Sequence, residues 1–360
     1  MRDMKRTVLF LLLALAAASA LAADVRAKTA TAVDEKIDRA IRDSLPLCNG
    51  SKILQADLER AIPSNMTATL VRVESERPSC NGQYVGVVSK EGGFYLGTPW
   101  FLDGEQGSIE EKLKSFTWRN MQENFTPIVD RQKTREGLYR VTLMQTTERG
   151  KLPMEGEVDP AGTVFFLGHF RPLTEDVRTT RAKAFEPFIA DAPAEGAAKP
   201  QVTIVEFSDF ECPSCQRAAA YLDPILSKYS DKVRYVRYDL PLIGTHPWAF
   251  AAAVAGRAVH RQKPELFWTY KTQVYTNQEK LNAFNFDDFA ENFAKDHELD
   301  MQKFAADIAS ADLKDQILKG VGTAFSNDIR ATPSYMINGI IVDAGVEGKD
   351  LEAYVASLLK

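Results

Sequence analysis

Two cysteines two residues apart, in VEFSDFECPSC (residues 205 to 215), are the part of this 360-residue chain best suited to chemistry. A thiolate is both a nucleophile and a metal ligand, so a CxxC pair can serve exchange chemistry, a zinc site or a plain disulfide. Structural zinc needs four ligands, and no second CxxC or His pair at metal spacing follows. A CxxC bridge closes so short a loop that it stabilises weakly and reduces easily. Thiol–disulfide exchange is the reading that uses both cysteines.

The flanking residues say how the pair is held. Val202–Phe207 alternates and is β-branched, which predicts a strand, and Pro213–Tyr229 predicts a helix. Cys212 then sits at a strand-to-helix turn, with Pro213 at the first helical position, where a missing N–H costs nothing. The free N–H groups of that turn should point at the Cys212 sulfur and favour its thiolate. Cys215 lies one turn on, on the same face. This makes Cys212 the nucleophile and Cys215 the residue that resolves a mixed disulfide.

The N-terminus has a charged start, an apolar run Thr7–Ala18 and the small residues Ala20-Leu21-Ala22. That pattern is a secretory signal peptide over residues 1–22, and no later stretch is apolar enough to span a membrane. The expected location is the periplasm, an oxidising compartment in which disulfides persist. Cys48 and Cys80, the two remaining cysteines, are read there as a structural disulfide. A formal charge of −5 and the lack of a basic cluster argue against a nucleic-acid partner.

About 335 residues remain after cleavage, which favours two domains. The Ala- and Pro-rich residues 191–200 read as a linker between an N-terminal domain, 33–190, and a C-terminal domain, 201–360. The first reads as α+β: a helix over Val33–Leu47, then strands at Thr67–Val73, Tyr84–Val88, Phe94–Leu96, Gly137–Thr147 and Thr163–Leu167. Within it VSKEGGFYLGTPWFLD (88–103) echoes EVDPAGTVFFLGHFRPL (157–173), as two hairpins related by duplication would.

After the CxxC helix the C-terminal domain shows a strand at Val233–Tyr238 and helical periodicity over Pro247–Asn327. That periodicity breaks near Lys263-Pro264 and at Asn282–Asn285. Strands Ser334–Ile337 and Ile340–Asp343 flank Asn338-Gly339, a strong hairpin signal, and a helix over Gly348–Leu359 ends the chain. Strand, helix, strand, helical insertion, hairpin, helix is the order of an α/β thioredoxin fold with an inserted helical subdomain.

VEFSDFECPSC, PLIGTHPWAFAAAVAG (241–256) and ATPSYMING (331–339) resemble the bacterial periplasmic Dsb thiol:disulfide oxidoreductases, in particular the DsbA-like group. The resemblance covers residues 200–360. It implies that Pro333 is cis and packs against the active-site disulfide, and that Thr332 offers backbone bonds to an extended substrate. It also implies that Glu206 lies beneath the disulfide, where a buried carboxylate can take a proton from Cys215. The strongly oxidising members carry His where this chain has Ser214, which implies a milder oxidant. Thr before the proline is similar to the isomerase-type DsbC and DsbG.

The function expected is disulfide exchange with unfolded or partly folded exported proteins, using no cofactor beyond the Cys212–Cys215 disulfide and a membrane redox partner for recycling. The alternative is a chaperone or adaptor whose groove binds peptides without redox turnover. In a third reading, the N-terminal domain presents one client to the CxxC.

Overall fold

The computed structural model describes residues 35–45, 51–58, 60–75, 81–147, 149–327, 329–342 and 348–359. The signal peptide, Cys48 and Cys80 lie outside the described residues. The chain divides into two compact units, residues 1–180 with 322–328, and residues 181–321 with 329–360.

The first unit is α+β and internally repeated. Helix α1 (Glu35–Ser44) precedes β1 (Lys52–Asp57), β2 (Met66–Glu74), β3 (Gly82–Ser89), β4 (Gly93–Gly97) and β5 (Trp100–Phe101). Helix α2 (Ile109–Met121) then precedes β6 (Phe125–Lys133), β7 (Tyr139–Thr147), β8 (Gly150–Val158), β9 (Val164–Leu167) and β10 (Arg171–Pro172). The two sheets run β1-β2-β3-β4-β10 and β5-β9-β8-β7-β6. Each half therefore lends its last strand to the other half's sheet: β5 pairs with β9, and β10 with β4. The echoed segments 88–103 and 157–173 fall on these corresponding hairpins.

Strand alternation builds four layers from this pairing, because successive side chains point to opposite faces. On β4, Phe94 and Leu96 pack with Ile41 of α1, whereas Tyr95 faces Val85, Val87 and Phe166 between the sheets. On β9, Val164 and Phe166 face that same middle layer, whereas Phe165 and Leu167 pack with Leu113 of α2. A capping box starts α2: the Ser108 hydroxyl accepts from the Glu111 N–H, and the Glu111 carboxylate accepts from the Ser108 N–H.

The second unit begins inside α3 (Val177–Ile189), and here the structure corrects the sequence reading twice. The boundary lies at Thr180/Arg181 rather than after residue 190: Phe185 is fully buried, with ring centroids 5.0 Å from Phe207 and 5.5 Å from Tyr238. Residues 191–200 are no free linker either. Ala194–Gly196 forms β11, which pairs antiparallel with β13 (Val233–Asp239), and Ala192 and Ala197 are buried. An exposed strand edge leaves N–H and C=O groups unpaired, and a short segment of small residues is enough to cover it.

The sheet order is β11-β13-β12-β14-β15, with β12 at Val202–Ser208, β14 at Ser334–Ile337 and β15 at Ile340–Val342. Strands β12 and β13 are parallel, joined by α4 (Pro213–Lys228). Helices α5 (Ala249–Gln262), α6 (Leu266–Asn277), α7 (Phe286–Asp296), α8 (Met301–Ala309) and α9 (Ala311–Ser326) lie between β13 and β14. The β14–β15 turn puts Asn338 at φ +48° and Gly339 at φ +80°, the two left-handed residues that a tight hairpin needs. Helix α10 (Lys349–Leu358) is the last element. Among the described residues, no helix is long and apolar enough to cross a membrane.

Candidate active site

The parallel pair β12–β13 ends at the turn that carries the cysteines. Residues Asp209–Glu211 leave β12, and Cys212 is the N-cap of α4 with extended backbone (φ −73°, ψ 119°) and Pro213 at the first position. The Cys212 sulfur makes no cap hydrogen bond, and the Cys215 N–H goes to the Cys212 carbonyl at 3.1 Å. Of the first-turn N–H groups expected to favour the Cys212 thiolate, that of Cys215 acts on the sulfur as a backbone donor. The Gln278 side chain donates to the carbonyls of Phe210 (2.8 Å) and Cys212 (3.1 Å), which fixes the turn against the helical insertion.

Both thiols are free and buried, Cys215 completely. The Cys212 thiol is lowered to about 6, first because the Cys215 thiol donates to its sulfur, against burial, with Thr332 adding in the same direction. Cys215 is pushed up by burial first, then by its bond to Cys212 and by the negative charges of Cys212 and Glu206. One sulfur is therefore an anion near neutral pH while its neighbour keeps its proton, as a nucleophile and its resolving partner must.

The Thr332–Pro333 peptide is cis, Pro333 is buried, and the Cys212 sulfur lies 3.3 Å from the Thr332 carbonyl. A carbonyl accepts only from the protonated thiol, so this contact belongs to that form. Ser214 is half-buried and its hydroxyl accepts from Arg217 at 2.8 Å. Glu206 is 1 % exposed, accepts from the Tyr235 hydroxyl and pairs in register with Tyr335. The structure thus gathers Cys212, Cys215, Glu206, Thr332, Pro333, Pro213 and Ser214 in the second unit. Among the described residues, no cluster of three His, Cys, Asp or Glu is disposed to hold a metal.

Three polar residues that the sequence reading passed over complete the site. Asp209 is buried: its N–H lies 3.5 Å from the Cys215 sulfur and its carbonyl accepts from the Cys212 N–H at 3.3 Å. Its carboxylate accepts from the N–H groups of Glu211 (2.7 Å) and Leu242 (2.8 Å) and faces His246 Nδ1 at 2.7 Å. Arg237 on β13 is fully buried, with its guanidinium 3.7 Å above the Phe210 ring and bonded to Asp239. The signal for Asp209 and His246 stood inside the quoted segments FSDFECPSC and PLIGTHPWAF. For Arg237 the sequence carried no distinct signal, because its strand VRYVRYD also holds Arg234 and Asp239.

Residues 190–357 match the family model described as thioredoxin. The second unit has a thioredoxin fold. The chain is similar to the probable disulfide bond formation protein D of Bacillus cereus, at 30% identity over 144 residues covering 38% of this chain and 66% of that protein. It is also 32% identical over 144 residues to a Na(+)/H(+) antiporter NhaA of Salinispora tropica, covering 40% of this chain and 21% of the antiporter. The chain thus spans less than two thirds of each of these relatives. Among solved structures, the chain is similar to BdbD from Bacillus subtilis (TM-score 0.42, 21% identity, 48% of this chain and 94% of that one). The catalytic domain of ScsC from Proteus mirabilis gives a TM-score of 0.42 at 23% identity, over 51% of this chain and 98% of that one.

Proposed function

We propose that this protein is an exported thiol:disulfide oxidoreductase acting on other exported proteins through Cys212 and Cys215. The observation that carries this reading is the split between the two thiols, with Cys212 lowered to about 6 beside the Thr332–Pro333 bond and Cys215 pushed up in the interior. In the oxidised form a substrate thiolate attacks the Cys212 sulfur, the bond to Cys215 breaks, and its electron pair leaves on the Cys215 sulfur. Glu206, buried beside the pair, is the proton donor to that sulfur, and a Cys212–substrate mixed disulfide remains. A second substrate thiolate attacks the substrate sulfur of that bond, releasing oxidised substrate and the Cys212 thiolate. Two electrons have passed to the protein, and a membrane redox partner removes them. Run backwards, the same steps reduce a substrate disulfide, with Glu206 accepting the Cys215 proton.

The substrate's backbone is proposed to dock at Thr332 and Pro333. The Thr332 carbonyl precedes a proline without an N–H, so an extended peptide can pair there without a competing donor on the protein. Export rests on the signal-like residues 1–22, and fractionation of the expressed chain tests it. Replacing Cys215 by Ser is expected to trap a Cys212–substrate mixed disulfide that reductant releases, while Cys212→Ser abolishes both trapping and turnover. Turnover that survives Cys212→Ser would overturn the assignment.

A further inference from the structure

We propose that His246, held by the buried carboxylate of Asp209, is the residue that supplies positive charge to the Cys212 thiolate and so sets its reactivity. The inference rests on the exchange chemistry proposed above and names a positioning residue for it. Asp209 is wired to both cysteines through its main chain, to Cys215 by its N–H (3.5 Å) and to Cys212 by its carbonyl (3.3 Å). A fully buried carboxylate there is a negative charge set beside the position where the thiolate must form, and two like charges oppose each other at short range. Asp209 works against the Cys212 anion, and nothing in the Pro213-Ser214 dipeptide carries a charge to offset it.

The offset comes from outside the motif. The His246 Nδ1 lies 2.7 Å from Asp209 Oδ2, and the Leu242 N–H binds the same oxygen at 2.8 Å. The main chain that carries the ring is tethered in turn, because the backbone N–H of His246 donates to the Leu242 carbonyl at 2.9 Å. The charged groups facing His246 are Asp209, Cys212 and Glu211; all three favour its protonated form and together outweigh its burial. Glu211 is itself held away by the N–H groups of Trp248 (2.7 Å) and Ala249 (3.0 Å) at the start of α5. Protonated, His246 neutralises Asp209 and leaves the Cys212 thiolate a cation within reach. Deprotonated, it leaves Asp209 uncompensated. The pair thus couples the reactivity of Cys212 to pH through a side chain 34 residues along the chain.

The test compares the full-length reduced protein with His246→Gln and His246→Lys. Gln keeps a donor toward Asp209 without charge, whereas Lys restores charge without the ring. The readout is the rate of iodoacetamide alkylation at Cys212 against pH, followed at that residue by peptide mass spectrometry with Cys215 kept in place, because its thiol is the first cause of the low Cys212 value, with thiolate absorbance as a second measure. Raising the Cys212 midpoint by one pH unit lowers the thiolate fraction at pH 5 about tenfold. His246→Gln is expected to slow alkylation at pH 5 by about that factor, and His246→Lys to recover most of the loss. A low wild-type midpoint that His246→Gln leaves in place overturns the role of His246 while sparing the exchange reading. An ordinary wild-type midpoint, near that of a free cysteine, overturns both. Equal slowing in the Gln and Lys variants shows a role in shape rather than charge and also overturns it.

Discussion

At the scale of single residues, two sulfurs of the same kind are made different by where they sit. Cys212 faces the site mouth beside Thr332, whereas Cys215 is in the interior next to Glu206 and Asp209. The difference has a stability signature whose sign follows from proton counting. Between about pH 6 and the ordinary thiol value of 9.0, the unfolded chain keeps a proton on Cys212 that the folded, reduced chain has released. Stability therefore rises with pH across that window, by at most about 1.4 kcal/mol per unit. It is fully present above pH 9 and lost as the pH falls through 6. Urea unfolding in reductant, taken as wild type minus Cys212→Ser, should show this rise; a flat difference would mean that the thiol is not shifted. In the reducing direction, Glu206→Gln is expected to leave the attack of the Cys212 thiolate on a substrate disulfide nearly intact but to slow loss of the Cys215 proton. Quenched-flow trapping should then show the mixed disulfide living longer, and an unchanged lifetime would remove Glu206 from the mechanism. Cysteines and the Thr332-Pro333 pair were legible in the sequence because their types and local order carry the chemistry. Asp209 and His246 were not, because an acid–imidazole pair formed across 37 residues leaves no spacing to read.

At the scale of elements, β13 ties the site to the core. Its residues Tyr235, Arg237 and Asp239 alternate onto the face that also carries Glu206 of β12, while Tyr238 points to Phe185 on the other. Asp239 accepts from Arg237 and from Arg257 of α5, the latter at 2.7 Å, and Arg257 continues to the Asp191 carbonyl at 2.7 Å. Two of the three Arg237 nitrogens, Nε and Nη2, have no hydrogen-bond partner among the described residues, so the Phe210 face and Asp239 carry most of its compensation. Asp239→Asn would strand two buried guanidinium groups, at a cost of about 3–5 kcal/mol. The urea midpoint of the full chain measures it, and a loss below about 1 kcal/mol would contradict the network. The strands and α4 of this unit were readable from alternation, Pro213 and Asn338-Gly339. Strand β11 was not, since its partner rather than its own Ala and Gly residues makes it a strand. Strand β8 was hidden by Pro153 and Gly156, although Gly156 is required there: a Cβ would stand 2.3 Å from the Phe165 ring.

At the scale of the molecule, a thioredoxin-fold unit follows a unit built twice over. Because its halves exchange β5 and β10, neither half completes its own sheet, and Trp100 from the first half fills the core of the second with Phe165 and Leu113. Trp100→Ala is expected to cost about 3–5 kcal/mol. It should loosen both halves together, seen as concerted loss of amide protection on β3 and on β8; loss confined to β8 would deny the exchange its role. The echo between residues 88–103 and 157–173 falls on corresponding hairpins of the two halves, and only the pairing shows that these hairpins trade strands. The proposed function rests on the other unit, and the reduction potential of Cys212–Cys215, by equilibration with glutathione buffers and thiol trapping, tests it most directly. A thiol at about 6 lies between those of thioredoxin, about 7, and DsbA, about 3.5, so the potential should fall between about −270 mV and about −120 mV. A pair that fails to exchange reversibly with glutathione, or one poised below about −300 mV as structural disulfides are, would contradict an exchange site.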